Sequence, residues 1–242
     1  MAVHQTTVLA RPIEASAMYE RVVDRIHRAI HLGQLLPGDK LPPERVLAEQ
    51  LKVSRVTLRE ALRVLEGEGY VQTRLGARGS QTISTPSIST EDMRRRLLSR
   101  LDATDSILEF REATESHAAR LAAARRDPAD LEALEGALTE MSVTRNVPEF
   151  RRSDSAFHLA VADAARNPML RSAIEDARAA MFLPIDAFPF NVMLASWVTS
   201  HSEIFQAIRD GNERGAEDAM TAHIVSVHDE LREVLGVKQA AG

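Results

Sequence analysis

Between Pro42 and Gly69 the chain holds two short amphipathic segments only three residues apart, and that spacing narrows the possible folds more than any other feature. Pro43 suits the first position of a helix over ProGluArgValLeuAlaGluGlnLeu, whose Val46, Leu47 and Leu51 face inward. Lys52, Val53 and Ser54 make a tight turn, and Ser54 is a good N-cap for the next helix. That helix buries Val56 or Leu58 together with Ala61, Leu62 and Leu65, and stops at Gly67–Gly69. A preceding helix from Ser16 carries Tyr19, Val22, Val23, Ile26 and Ile30 at helical spacing and ends near Gly33. Pro37, Gly38 and Pro42 mark the turn-rich connection between them.

Two strand-like runs follow, at 70–74 and 80–84, around a glycine-containing loop of hairpin character. Helix, helix, turn, helix and hairpin is the order of a winged helix-turn-helix. Residues 83–90 are polar and contain Pro86, as a linker does. Beyond them the pattern is almost wholly helical, with segments near 91–102, 104–126, 128–144, 148–165, 167–182, 190–210 and 213–235. Scarce aromatics and abundant alanine suit close helix–helix packing. The expected fold is mainly α: a flexible 1–15, a winged domain over 16–84, a linker over 85–90, an all-α bundle over 91–236 and a flexible 237–242.

The overall charge of −5 argues against a nucleic-acid partner until it is divided. Residues 1–85 carry 12 Lys and Arg against 9 Asp and Glu, whereas the remainder carries 18 against 26. A mildly basic first third on an acidic remainder fits a DNA-reading module joined to a domain with another task. The absence of cysteine excludes disulfides, thiolate nucleophiles and thiolate metal sites. No apolar run approaches the roughly 20 residues of a membrane helix. The first residues also lack the layout of an export signal, so a cytoplasmic location with no membrane partner is expected.

Arg55, Arg59 and Arg63 stand at i, i+4 and i+8, hence on one face of the third helix, with Thr57 beside them. From the start of a recognition helix such side chains reach base edges in the major groove, where Arg pairs with guanine. Arg45 would sit near the same DNA surface, and Arg74 and Arg78 near the hairpin tip could meet phosphates or the minor groove. The alternative is an ordinary solvated face paired with Glu60 and Glu66.

In the helical part, Asp154 and His158 stack at i, i+4 among Phe150, Phe157, Val161 and Ala165. His201 recurs with Trp197, Ile204, Phe205 and Ile208, and His223 with Met220, Val227 and Leu231. An acid on an apolar face is expensive unless paired or metal-bound. Three helices thus each aim a metal-competent group into one core. One Asp and three His form a nitrogen and oxygen set suited to Zn²⁺, Ni²⁺ or Mn²⁺, with positions left for a carboxylate or hydroxy-acid ligand. The alternative is a set of satisfied core histidines. His228 points elsewhere, His117 has no evident partner, and His4, His27 and His31 read as surface or linker residues.

The stretch 41–69 resembles the winged helix of the GntR regulators over a long, ungapped match. The resemblance implies that Arg45, Arg55, Thr57 and Arg59 contact bases and phosphates, with Ser54, Arg74 and Arg78 in the DNA-binding set and Gly76 at the wing tip. Leu75 stands where family wings often carry a basic residue or histidine, leaving that contact to Arg74 or Arg78. GluPheArg (109–111), AspSerAlaPheHis (154–158), AlaArgAsnPro (165–168), HisSerGluIlePheGlnAlaIle (201–208) and AlaMetThrAlaHis (219–223) resemble the FCD ligand-binding domain of the FadR subfamily. By that resemblance Asp154, His158, His201 and His223 hold a divalent metal, zinc first and nickel or manganese next. Arg111 would help hold an effector carboxylate, against a surface pair with Glu115, and Asn167 would orient the ligand or cap a helix. The implied protein is a homodimeric, non-enzymatic regulator, by default a repressor, that binds double-stranded operator DNA and answers to an organic or sugar acid. Its rivals are a metal-dependent hydrolase and a DNA-architectural protein with a structural metal.

Overall fold

The computed structural model describes residues 18–74, 80–86, 89–181 and 190–237. Backbone contacts divide the chain into two units, the first running to His27 and then over Lys40–Ser84, the second containing Arg28–Asp39 and Thr85 onward. The fold is mainly α, with one two-stranded sheet among the described residues.

Helix α1 (Met18–His31), whose residues up to His27 belong to the first unit, is followed in that unit by α2 (Glu44–Leu51), α3 (Arg55–Gly67), β1 (Val71–Arg74) and β2 (Ser80–Ile83). The strands are antiparallel, with Val71 opposite Ile83 and Arg74 opposite Ser80. Lys40 bridges to Thr82, and the Leu41 N–H donates to Gln81 at 2.9 Å, extending the sheet by one short edge. Val22, Val23 and Ile26 of α1 supply the core together with Leu41, Leu47, Leu58, Leu62, Leu65, Val71 and Ile83. Lys52 ends α2 in the left-handed conformation at φ 54°, which makes the turn into α3 tight.

The second unit is helical: α4 (Thr90–Leu98), α5 (Leu101–Arg125), α6 (Pro128–Val143), α7 (Val147–Ala164), α8 (Pro168–Ala180), α9 (Phe190–Arg209) and α10 (Glu213–Leu235). Local chemistry sets most of these bounds. Asp127 and Asp130 form a reciprocal cap at the start of α6, with Pro128 at the first position. Asn146, Asn167 and Asn212 cap α7, α8 and α10, and Gly236 ends α10 at φ 66°. The break between α4 and α5 differs from expectation. It falls at Ser99–Arg100, where neither proline nor glycine announces it.

Residues 28–39, expected with the winged domain, pack in the second unit. Arg28 pairs there with Glu175 and Asp176, His31 Nδ1 lies 2.7 Å from the Ala179 carbonyl, and a Cβ on Gly33 would stand 2.5 Å from the Arg152 backbone. The apolar core of the unit runs through Leu108, Leu134, Met141, Phe157, Ile174, Ile204, Met220 and Leu231.

Candidate functional site

On α3 the Ser54 hydroxyl accepts the Thr57 N–H at 3.0 Å and so starts the helix as an N-cap. Leu58, not Val56, takes the core position: Leu58 is fully buried while Val56 is 74% exposed. The apolar face turns Arg55, Arg59 and Arg63 outward, all exposed. Arg59 Nε donates to Glu44 at 2.8 Å and Arg45 donates to Glu49 at 2.9 Å. Exposed pairs of this kind contribute at most about 1 kcal/mol, so a phosphate or a guanine edge can displace the carboxylates. No ion pair among the described residues joins the three arginines to Glu60 or Glu66. Gly76 and Arg78 lie outside the described residues, as does the side chain of Arg74.

The second unit brings Asp154 and His158 of α7, His201 of α9 and His223 of α10 together, with one ligand atom of each within 4.8 Å of the others and all four residues buried. Each histidine is oriented from behind. His158 Nδ1 is hydrogen-bonded to Glu115 of α5. His201 Nδ1 lies 2.7 Å from the Trp197 carbonyl, which can only accept. Ser200 donates its hydroxyl proton to that same carbonyl at 2.9 Å, so it must accept from His223 Nδ1, also at 2.9 Å. In all three rings Nδ1 therefore carries a proton, so in the neutral ring it is Nε2 that has the lone pair.

Those lone pairs face other acceptors. His201 Nε2 stands 3.1 Å from Asp154 Oδ1 and 3.2 Å from His158 Nε2. Acceptors directed at one another across such distances need a cation or an added proton between them. A set of imidazole nitrogens and one carboxylate, each held by an outer hydrogen bond, has the chemistry of a zinc-type site.

Three further charges surround the quartet. Arg111 donates to Glu115 at 2.6 Å, and Arg178 of α8 bonds the second oxygen of Asp154 and reaches Glu115 at 3.9 Å. Arg111 and Glu115 are 4% and 1% exposed, which corrects the alternative of a surface pair. Burial pushes the Asp154 carboxyl up, but Arg178 and His201 outweigh it and hold that group well below the usual range. Glu115 is likewise raised by burial, yet Arg111, His158 and Arg178 bring it far down. Burial and then Arg178 lower His158 to about 4 against the pull of Glu115 and Asp154. His223 is pushed well below its ordinary value by burial and by the neighbouring His201 and His158. With neutral imidazoles, two carboxylates balance two guanidiniums, so a divalent ion would leave the site positive and selective for an anion.

Sequence reasoning missed Glu115 and Arg178 as members of the site. Arg178 has a signal in hindsight, standing on one face with Ile174, Ala177 and Met181, all buried. Asn167 does not line the space beside the quartet. Its side chain accepts the Met169 and Leu170 N–H groups at 3.1 and 3.3 Å as the cap of α8. Glu203, two residues from His201, is exposed. His228 pairs with Asp105 at 2.9 Å, and His117 has a partner after all in Arg120 at 3.3 Å. His27 and His31 are half-buried, the former 2.8 Å from Glu68, and so are not plain surface or linker residues; His4 lies outside the described residues.

Residues 18–78 match the family described as bacterial regulatory proteins, gntR family, and residues 106–226 match the FCD domain. The HTH-type transcriptional regulator LutR of Bacillus subtilis is 34% identical over 206 residues, covering 82% of this chain and 94% of that protein. This chain belongs to the GntR family. The Exu regulon transcriptional regulator of Escherichia coli is 42% identical over 64 residues, 26% of this chain and 25% of that protein. Among solved structures, E. coli McbR/YncC shares the fold at a TM-score of 0.56 and 19% identity, over 90% of this chain and 99% of that one. The protein is thus a GntR transcription regulator with an FCD domain, not an enzyme, and its helix-turn-helix binds DNA. No helix among the described residues is long and apolar enough to cross a membrane.

Proposed function

We propose that this GntR regulator is a cytoplasmic homodimeric repressor whose hold on operator DNA is set by a small organic or sugar acid bound beside a divalent metal. The winged region within 16–84 reads a pseudo-palindromic site, with Arg45, Ser54, Arg55, Thr57 and Arg59 at the bases and phosphates and Arg74, Gly76 and Arg78 on the wing. The 85–90 linker passes the effector's influence from the 91–236 bundle. Asp154, His158, His201 and His223 hold the ion, zinc by preference and otherwise nickel or manganese. Bound there, the ion would supply a positive centre for an effector carboxylate, which Arg111 at the edge of the site receives. The observation that carries this reading is the meeting of Asp154 with one nitrogen of each of the three histidines within 4.8 Å, every Nδ1 being hydrogen-bonded from behind. For the effector to switch the protein it must bind one dimer geometry more tightly than the other.

Fluorescence anisotropy on promoter DNA, with a panel of hydroxy acids and sugar acids and with metal content assayed, tests the proposal. One acid is expected to weaken binding tenfold, about 1.4 kcal/mol of coupling, and His158→Ala or chelation is expected to abolish that response. A specific observation favours a second reading, in which the metal only braces the bundle. Among the described residues the space lined by Arg111, Phe150, Met181, Trp197 and Val227 beside the quartet is about 20 Å³. That is room for about one water molecule, so an effector must displace side chains to enter. Firm DNA binding that no acid alters, together with a chelation effect on melting alone, would establish the bracing role.

A further inference from the structure

The first unit carries a second basic feature that the recognition helix does not account for. The start of α1 and the end of α2 frame a cleft of about 340 Å³ with Val22, Leu51 and Val53 along its apolar floor. Arg21, Arg25 and Lys52 stand around it. Arg21 and Arg25 are one helical turn apart and so project from the same face of α1. All three cations are exposed, and no ion pair among the described residues engages any of them. Arg45 and Arg59, by contrast, each hold a carboxylate. Three uncompensated charges around one concavity repel one another, in a chain whose overall charge is −5. An anion relieves that repulsion, and the apolar floor beneath offers contact to a sugar.

The position of the cleft in the chain selects among anions. Lys52 is two residues before Ser54, the N-cap of α3, so the cleft opens beside the end of the helix that presents Arg55 and Thr57. We propose that Arg21, Arg25 and Lys52 form a phosphate clamp, gripping the DNA backbone next to the recognition helix with a deoxyribose over Val22 and Val53. The inference rests on the DNA-binding reading of α3 and extends it. The clamp carries affinity and leaves sequence preference to α3, because phosphate contacts position a protein while base contacts specify.

The full-length protein is titrated with a duplex selected from a random pool and with an unrelated duplex, over a range of salt. Each phosphate contact removed lowers the slope of log affinity against log salt by about 0.9. Arg21→Ala with Arg25→Ala is therefore expected to reduce the slope by about 2 and to weaken both duplexes by about tenfold at physiological salt. The ratio between the two duplexes stays unchanged. Lys52→Asn, a residue that tolerates the left-handed backbone at this position, is expected to give about half the slope change. Arg21→Lys with Arg25→Lys should restore most of the affinity, which a folding defect would not allow. Unchanged slope and affinity in the alanine variant overturn the clamp, as does competition by inorganic pyrophosphate for the cleft with no change in DNA binding. Arg59→Ala separates the two readings. If it impairs DNA binding while the cleft variants do not, only the clamp fails; if wild-type protein binds neither duplex, the DNA-binding reading fails with it.

Discussion

The two units handle charge in opposite ways. Among the described residues of the first unit, every buried side chain is apolar, and Arg45, Arg55, Arg59 and Arg63 all lie in solvent. The second unit buries Arg111, Glu115, Arg151, Asp154 and Arg178 with three histidines. A unit whose partner is another molecule keeps its charges outside, where they cost little and where a phosphate can reach them. A unit whose chemistry is internal must desolvate its charges and satisfy each by another group, which ties its stability to the site. The same residue type, arginine, thus does different work: Arg59 lies in solvent with one exposed partner, whereas Arg178 is buried against Asp154.

Removing a charge from each unit puts that contrast to its hardest test. Asp154→Ala leaves Arg178 buried without its strongest partner, and loss of one member of a buried pair costs about 3–5 kcal/mol. A large drop in melting temperature with loss of bound metal is expected from calorimetry and metal assay. A variant that melts like wild type would mean that the site is not coupled to the fold.

Acid is the next largest lever, and it acts on the metal-free protein. The folded state depresses His158 to about 4 and His223 well below its ordinary value, whereas in the unfolded chain both take up protons near pH 6.5. The unfolded state therefore binds more protons as pH falls, and stability declines with it. The contribution is fully present above pH 6.5 and falls as pH drops by on the order of 1 kcal/mol per pH unit for each histidine, for His158 down to about pH 4. Below that, protonation of Asp154 and Glu115, both held low in the fold, continues the loss. Denaturant titrations across this range check the trend, and a flat profile would show that the rings are not held neutral.

Arg59→Ala is expected to shift melting by no more than about 0.5 kcal/mol, as for a surface residue. Its operator affinity should fall by about 1–3 kcal/mol, with relaxed base preference at one position. Equal losses in stability and in DNA binding would erase the distinction between the units. The smallest effect is expected from Asn167→Ala, about 1 kcal/mol of stability for a lost helix cap, with metal content unchanged. Loss of an effector response in that variant would instead return Asn167 to the ligand site.

Much of this protein was legible one element at a time. The bounds of α6, α7, α8 and α10 follow from caps and prolines, because a helix start is satisfied by side chains within three residues of it. The break at Ser99–Arg100 was not legible, since no local residue forbids helix there. Asp154 and His158 could be paired on paper because i, i+4 spacing is itself a contact, and apolar neighbours announced their burial.

The sequence by itself determined the helix-turn-helix, the outward face of α3 and the identity of the quartet, all through spacings of four residues or fewer. Only the tertiary structure decided that Arg111 and Glu115 are buried and not a surface pair, that Arg178 closes on Asp154 from 24 residues away, and that Glu115 orients His158 from 43. It also decided that Val56 lies outside and Leu58 inside. The physical reason is range. Caps and helical faces are local consequences of backbone geometry, whereas desolvation depends on what other helices bring over a residue, and no pattern along the chain carries that information.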